Sequence, residues 1–227
     1  MNRSDAKIGR LGFERPARLG SSLSLKVGFW VCTAVAIAVV LRRLVALVHP
    51  SQINQQLAAL DAAFASHTAL TLTHILPAMA FVFLTPVVLL RGSAPVWSQR
   101  LLFALGAVVG VTAYAMSAYS IGGWVERSAV LFFNSLFLFS LARAYLYMRR
   151  GESLQKMRWT WRAVGILLGI ATTRPVMGMF FASSRWTHLE PSQFFGIAFW
   201  IGFSINTTIV ELWLRSRERE AAMRKRR

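Results

Sequence analysis

Ionisable and amide side chains interrupt several long apolar segments of this chain. The costliest of them is Arg174, which lies in "GIATTRPVMG" directly before Pro175. A charged side chain at membrane depth costs about 2.5–3.5 kcal/mol on insertion scales, so it needs a compensating partner. Pro175 leaves the carbonyl of Ala171 without its helical donor, and that carbonyl can accept a hydrogen bond. A carbonyl does not neutralise a charge, however, and an anion would do so better.

Further polar residues are expected in the same layer as Arg174. Counting about 1.5 Å per residue along each helix puts this layer roughly 10 Å below one membrane surface. Asp61, Glu126 and Glu190 are expected nearer that surface, so the layer is predicted to be electropositive. The predicted ligand-binding residues are Arg174, His74, Asn134, Arg42, Thr173 and His67.

Each of these residues also has a purely structural interpretation. Arg42 and its neighbour Arg43 can extend their long stems to the lipid headgroups. His74 can hydrogen-bond a backbone carbonyl, and Pro77 frees the carbonyl of Thr73 beside it. Asn134 can form a bond between two helices, which is worth of the order of 1 kcal/mol.

The four histidines, His49, His67, His74 and His188, are all predicted on one side of the membrane. His67 and His74 are about 10.5 Å apart along a helix, which is too far for both to bind one metal ion. A haem or metal would therefore need a second ligand from another element. The sequence has no Cys-x-x-Cys, His-Glu-x-x-His or Ser-His-Asp arrangement that indicates other chemistry.

Six apolar runs must position these residues. The chain is 55% hydrophobic and 15% charged, with a mean hydropathy of +0.47, which is typical of a polytopic membrane protein. Each run can cross an apolar layer of about 30 Å as a helix. The sequence therefore predicts an all-α bundle of six transmembrane helices. The predicted spans are 27–48, 67–90, 97–118, 127–148, 160–182 and 193–214.

The basic residues alternate between the connections and predict the orientation. Both tails and the connections after the second and fourth spans hold 20 of the 26 Lys and Arg residues, whereas the other three connections hold Arg127 and Arg185. The positive-inside rule then places both termini in the cytoplasm of a bacterial cell, with the bundle in the inner membrane. The predicted regions are an N-tail (1–26), a membrane domain (27–214) and a C-tail (215–227).

The net charge of +17 has its explanation in this topology, so we expect no nucleic-acid partner. The basic C-tail could instead contact anionic lipid.

Two pairs of small residues are expected to let helices approach closely. They are Gly106 with Gly110 and Gly165 with Gly169.

Two blocks resemble a known family. They are "HTALTLTHILPAMAFVFLTPVVLLR" (67–91) and "MRWTWRAVGILLGIATTRP" (157–175), and together they resemble the bacterial membrane-protein family called domain of unknown function 2306. In that family a histidine opens a helix that ends in arginine, and a later helix begins and ends with arginine. The residues that match by position are His67 or His74, Arg91, Arg162 and Arg174. The family's His-Arg pair is absent, because this chain has Gln99-Arg100 there. The resemblance covers about residues 67–182 and implies a fold and a membrane setting.

Three functions are open at this point. The first is a binding protein or small transporter with an electropositive pocket in the outer leaflet, which takes an anionic or polar small molecule or a lipid headgroup. The second is a redox protein that holds a b-type haem between histidines. The third is a structural or assembly subunit without a ligand.

Overall fold

The computed structural model describes residues 23–49, 61–62, 64–90 and 94–225. Within these ranges the regular structure is helical and no strand is present, which confirms the predicted all-α class. The helices are α1 (Leu23–Val48), α2 (Thr68–Leu90), α3 (Val96–Ser117), α4 (Gly123–Arg149), α5 (Ser153–Leu167), α6 (Gly169–Thr187) and α7 (Pro191–Lys225).

Six candidate spans are long and apolar enough to cross a membrane, as predicted. Helices α5 and α6 together form one of them, Ser153–Ser183. The last helix differs most from its prediction, because it continues past residue 214 into the expected C-tail. Its 35 residues correspond to about 52 Å, well beyond an apolar layer of about 30 Å. Residues 1–22 of the predicted N-tail lie outside the described ranges.

The fifth span is interrupted at Leu168, between α5 and α6. Asn206 of α7 crosses this interruption: its Nδ2 donates to the Gly165 carbonyl at 3.3 Å. Its Oδ1 accepts from the Thr172 hydroxyl at 2.7 Å. One amide side chain therefore bonds to residues on both sides of the break, and it links that span to α7.

Glycines set the closest approaches between helices. A methyl group at Gly110 would lie 2.3 Å from Leu138 of α4, and one at Gly106 would lie 2.7 Å from Leu141 of the same helix. In the fifth span, methyl groups at Gly165 and Gly169 would overlap Val210 and Phe203 of α7. The expected packing role of both glycine pairs is confirmed.

The two ends of the bundle differ in charge. At one end α1 leads towards α2, α3 turns into α4 and α6 turns into α7; we call this the Asp61 end. At the other, the basic end, Arg162 of α5 binds Glu211 of α7 at 2.8 Å, and Arg215 binds the same carboxylate at 3.1 Å. Lys156 donates to Gln99 of α3 at 2.8 Å. Polar contacts thus join three helices at the basic end.

Candidate functional site

A cavity of about 260 Å³ lies in the half of the bundle nearer the Asp61 end, and each of the helices α1 to α7 contributes to its wall. We call it the central cavity. Its volume is near the lower limit of about 300–1,000 Å³ that is common for small-molecule sites. Most of the wall is aliphatic or aromatic. The polar side chains in the wall are Arg43, Thr71, His74, Ser117, Tyr119, Ser120, Glu126, Asn134 and Arg174.

Arg174 lines the central cavity and is poorly satisfied there. Its Nη1 donates to the sulfur of Met177 at 3.7 Å, and a thioether is a weak acceptor. Its Nε is buried and has no hydrogen-bond partner in the part of the chain that the structure describes. Among the ion pairs of the described residues, none involves Arg174. The Arg174 guanidinium, a charge that is costly at membrane depth, therefore faces the central cavity without an ion-pair partner among the described residues.

The expectation that the layer contains no carboxylate is wrong. Glu126 lines the central cavity and is one of the charges that act on Arg174. Its Oε2 accepts from the backbone N–H of Gly122 at 2.6 Å, so it caps the first turn of α4. Counting residues along the helices does not reveal that the turn before α4 packs against α7, where Gly122 lies close to Phe195 and Gly196, and that Glu126 in the first turn of α4 lines the cavity.

Asp61 is a second carboxylate close to the site, through its ion pairs with Arg42 and Arg43. Its side chain is only 1% exposed, and its Oδ1 accepts from Arg43 Nη1 at 2.8 Å. The Arg43 guanidinium also lies 3.8 Å from the ring centre of Phe64, which is a cation–π contact. Arg43 is therefore fixed from two sides, while it also contributes to the cavity wall.

Arg42, the neighbouring residue that was predicted for the site, is not among the residues of the cavity wall. Its side chain is 47% exposed at the bundle surface. It reaches the other oxygen of Asp61 at 3.4 Å. Arg43 therefore takes the place that the sequence analysis gave to Arg42, because the two adjacent residues point in different directions from α1.

His74 and Asn134 both line the central cavity, where each is held by α3. His74 Nδ1 is 2.9 Å from the hydroxyl of Thr112, and that hydroxyl donates to the Val108 carbonyl at 2.7 Å. Asn134 Nδ2 donates to the Gly110 carbonyl at 2.8 Å. This bond joins α4 to α3, as the structural interpretation of Asn134 predicted. It fixes the amide while the residue remains part of the wall.

Thr173 and His67 lie elsewhere. Thr173 is fully buried, donates its hydroxyl to the Gly169 carbonyl at 2.9 Å and packs against Gly202 of α7. It is not part of the wall of the central cavity.

His67 also lies outside the central cavity. Its ring centre lies 3.8 Å from that of Tyr119, and the residue lines a separate cavity of about 30 Å³. Tyr119 contributes to both cavities, so His67 is adjacent to the site and not in it.

The histidines that the haem alternative would use are dispersed. His67 and His74 line different cavities, and His188, in the connection before α7, is exposed. Within the described ranges no three His, Cys, Asp or Glu side chains are grouped as metal ligands.

The structure thus brings together three of the six predicted site residues, namely Arg174, His74 and Asn134. It adds Arg43 and Glu126, which the sequence analysis did not assign to the site. The sequence indicated that Arg42 and Arg43 point in different directions from α1, but it did not indicate which of the two faces the cavity. No comparable sequence signal identified Glu126, whose approach depends on the fold of the preceding turn.

No protein family, curated protein or solved structure shows significant similarity to the chain. The resemblance to domain of unknown function 2306 therefore remains an expectation. Of the residues that match by position, Arg162 lies at the basic end and Arg91 lies outside the described ranges. The sequence and the six apolar helices together show a multi-pass membrane protein whose spans surround a cavity with a half-buried arginine on its wall.

Proposed function

We propose that this protein binds a small anionic molecule or a lipid headgroup in the central cavity, and that Arg174 is the anchor. The observation that carries the proposal is the Arg174 guanidinium, which lines the cavity and has neither an ion pair nor a partner for its Nε among the described residues. An arginine at this depth costs about 2.5–3.5 kcal/mol, and a bound anion would offset that cost.

The neighbours of Arg174 support an anionic ligand. Arg43 and Arg42 add positive potential on the α1 side of the cavity and act on Arg174. Asn134 and His74 are polar and are held in place by bonds to α3, so little further ordering is needed when a ligand binds. The site therefore combines charge with side chains that are already oriented.

The charge bias of the connections supports an outward position for the Asp61 end. On this orientation the cavity belongs to the outer leaflet of a bacterial inner membrane. Binding is the first step for a receptor, a lipid-handling protein and a transporter alike, so binding is the function that we propose.

The test compares Arg174→Gln with the wild-type protein in nanodiscs. Co-purified molecules are identified by native mass spectrometry, and a melting curve is recorded for each sample. We expect Arg174→Gln to lose the ligand without a large change in melting temperature, because Gln keeps a donor and removes the charge. Arg174→Lys should be intermediate, since an ammonium keeps the charge and loses the planar fork.

The matched control is Arg127→Gln, which removes an arginine at the same end that packs over Trp124 and does not line the cavity. It should leave the ligand content unchanged. If Arg174→Gln retains its ligand and only melts earlier, Arg174 is structural and the proposed function is wrong.

A further inference from the structure

The charged side chains around the central cavity leave one positive charge uncompensated. Among the described residues that line it or pair with its wall, Arg42, Arg43 and Arg174 are positive and Asp61 and Glu126 are negative. Asp61 is already shared between two arginines, and Glu126 caps α4. The excess is one positive charge, and of these three arginines Arg174 is the one without an ion pair among the described residues. A second negative charge on a ligand would be buried without compensation, which is costly.

The remainder of the cavity is apolar and long. Below the charged layer its wall is formed by residues such as Val82, Phe137, Ile166, Leu167 and Phe203. Along α4 the wall extends from Glu126 to Phe137, which is roughly 16 Å at the helical rise. The cavity volume of about 260 Å³ is below that of most small-molecule sites, which favours a ligand with one hydrocarbon chain over a ligand with two.

We propose that the ligand is a single-chain carboxylate of medium length, with its carboxylate at Arg174 and its chain along Phe137 and Val82. This inference rests on the proposed function and names its ligand class. A carboxylate carries one negative charge, and its two oxygens match the planar donors of a guanidinium. With C–C bonds of about 1.5 Å in a zigzag chain, roughly ten to twelve carbons fill the 16 Å length.

The experiment uses the full chain in nanodiscs of zwitterionic phospholipid. Saturated fatty acids of 6 to 16 carbons are titrated, and occupancy is measured by native mass spectrometry. Binding should be strongest for decanoate and dodecanoate. Dodecanol, dodecylamine and dodecyl phosphate are the headgroup controls, and each should bind at least about tenfold more weakly than dodecanoate. A hydrogen bond to a charged group contributes about 1.5–3 kcal/mol, which corresponds to a factor of about 10 to 100.

Two variants test the two ends of the bound molecule. Arg174→Gln should weaken dodecanoate binding by the same factor of about 10 to 100, whereas Arg127→Gln should bind it as the wild type does. Val82→Phe adds bulk at the apolar end of the cavity, and it should shift the preferred acid to a shorter chain. The headgroup series and Val82→Phe remain informative if Arg174→Gln does not fold.

The possible failures are distinguishable. If dodecanoate binds no better than dodecanol while the wild type retains another Arg174-dependent anion, the carboxylate class is wrong and the proposed function stands. If dodecyl phosphate binds best, the charge argument is wrong. If no anion binds in an Arg174-dependent way and none co-purifies, both proposals are wrong.

Discussion

Arg43 donates its Nη1 to Oδ1 of Asp61 at 2.8 Å, and this ion pair connects the end of α1 to the segment that leads into α2. Both side chains are largely buried, with 12% and 1% exposed. The pair also orients Arg43 on the wall of the central cavity. The contact thus joins the architecture of the Asp61 end to the electrostatics of the site.

Asp61→Asn should destabilise the protein by about 3–5 kcal/mol, because it leaves a buried arginine without its counter-charge. Thermal or denaturant unfolding in a fixed detergent measures the change. Arg42→Gln is the matched control, since it removes the half-exposed partner of the same carboxylate and should cost at most about 1 kcal/mol. Equal losses in the two variants would contradict the assignment of Arg43 as the principal partner.

Gly202→Ala should lower stability by about 1–3 kcal/mol through overpacking. A methyl group there would lie 2.5 Å from Thr173 Oγ1 and 2.6 Å from the Thr173 backbone nitrogen, and backbone cannot rotate away. Gly178→Ala, in α6, is the control, because a methyl group there meets nothing within 4 Å. The control should be neutral or slightly stabilising, since alanine favours helix. Melting curves that rank the two variants in the opposite order would refute the close α6–α7 approach.

Asn206→Leu should loosen the interruption of the fifth span at Leu168. The substitution removes a donor to Gly165 and an acceptor for Thr172, and bonds of this kind average about 0.6 kcal/mol in membrane helices. Hydrogen exchange should increase around residues 165–172. Thr207→Val is the control, because the Thr207 hydroxyl donates to the Phe203 carbonyl of its own helix. Unchanged exchange in Asn206→Leu would show that the break is held by backbone packing alone.

Both ends of the chain should lie on the cytoplasmic side of the membrane. The reason is the excess of Lys and Arg in the tails and in alternate connections. Reporter fusions at the C-terminus and after Pro50 measure the orientation. The C-terminal fusion should be active only with a cytoplasmic reporter, and the Pro50 fusion only with a periplasmic one. A periplasmic signal from the C-terminus would invert the topology and move the central cavity to the inner leaflet.

The sequence by itself determined the all-α class, the six spans and the close glycine contacts. These follow from the length of each apolar run, from the thickness of a bilayer and from the size of a side chain. It also indicated Arg174, because a charge in an apolar run is costly wherever its helix packs. His74 and Asn134 were predicted for the same reason, and both line the central cavity.

Tertiary structure alone decided which polar groups share the site. Arg43 replaces Arg42 because two adjacent residues on a helix point about 100° apart, and the packing of α1 selects one of them. Thr173 was excluded because its face of α6 packs against Gly202. Glu126 lines the cavity and Asp61 fixes Arg43 on its wall because turns and connections place them there, and no periodicity in the sequence encodes that placement. Depth along a helix is a local property, whereas the charge balance of a cavity depends on every element that closes it.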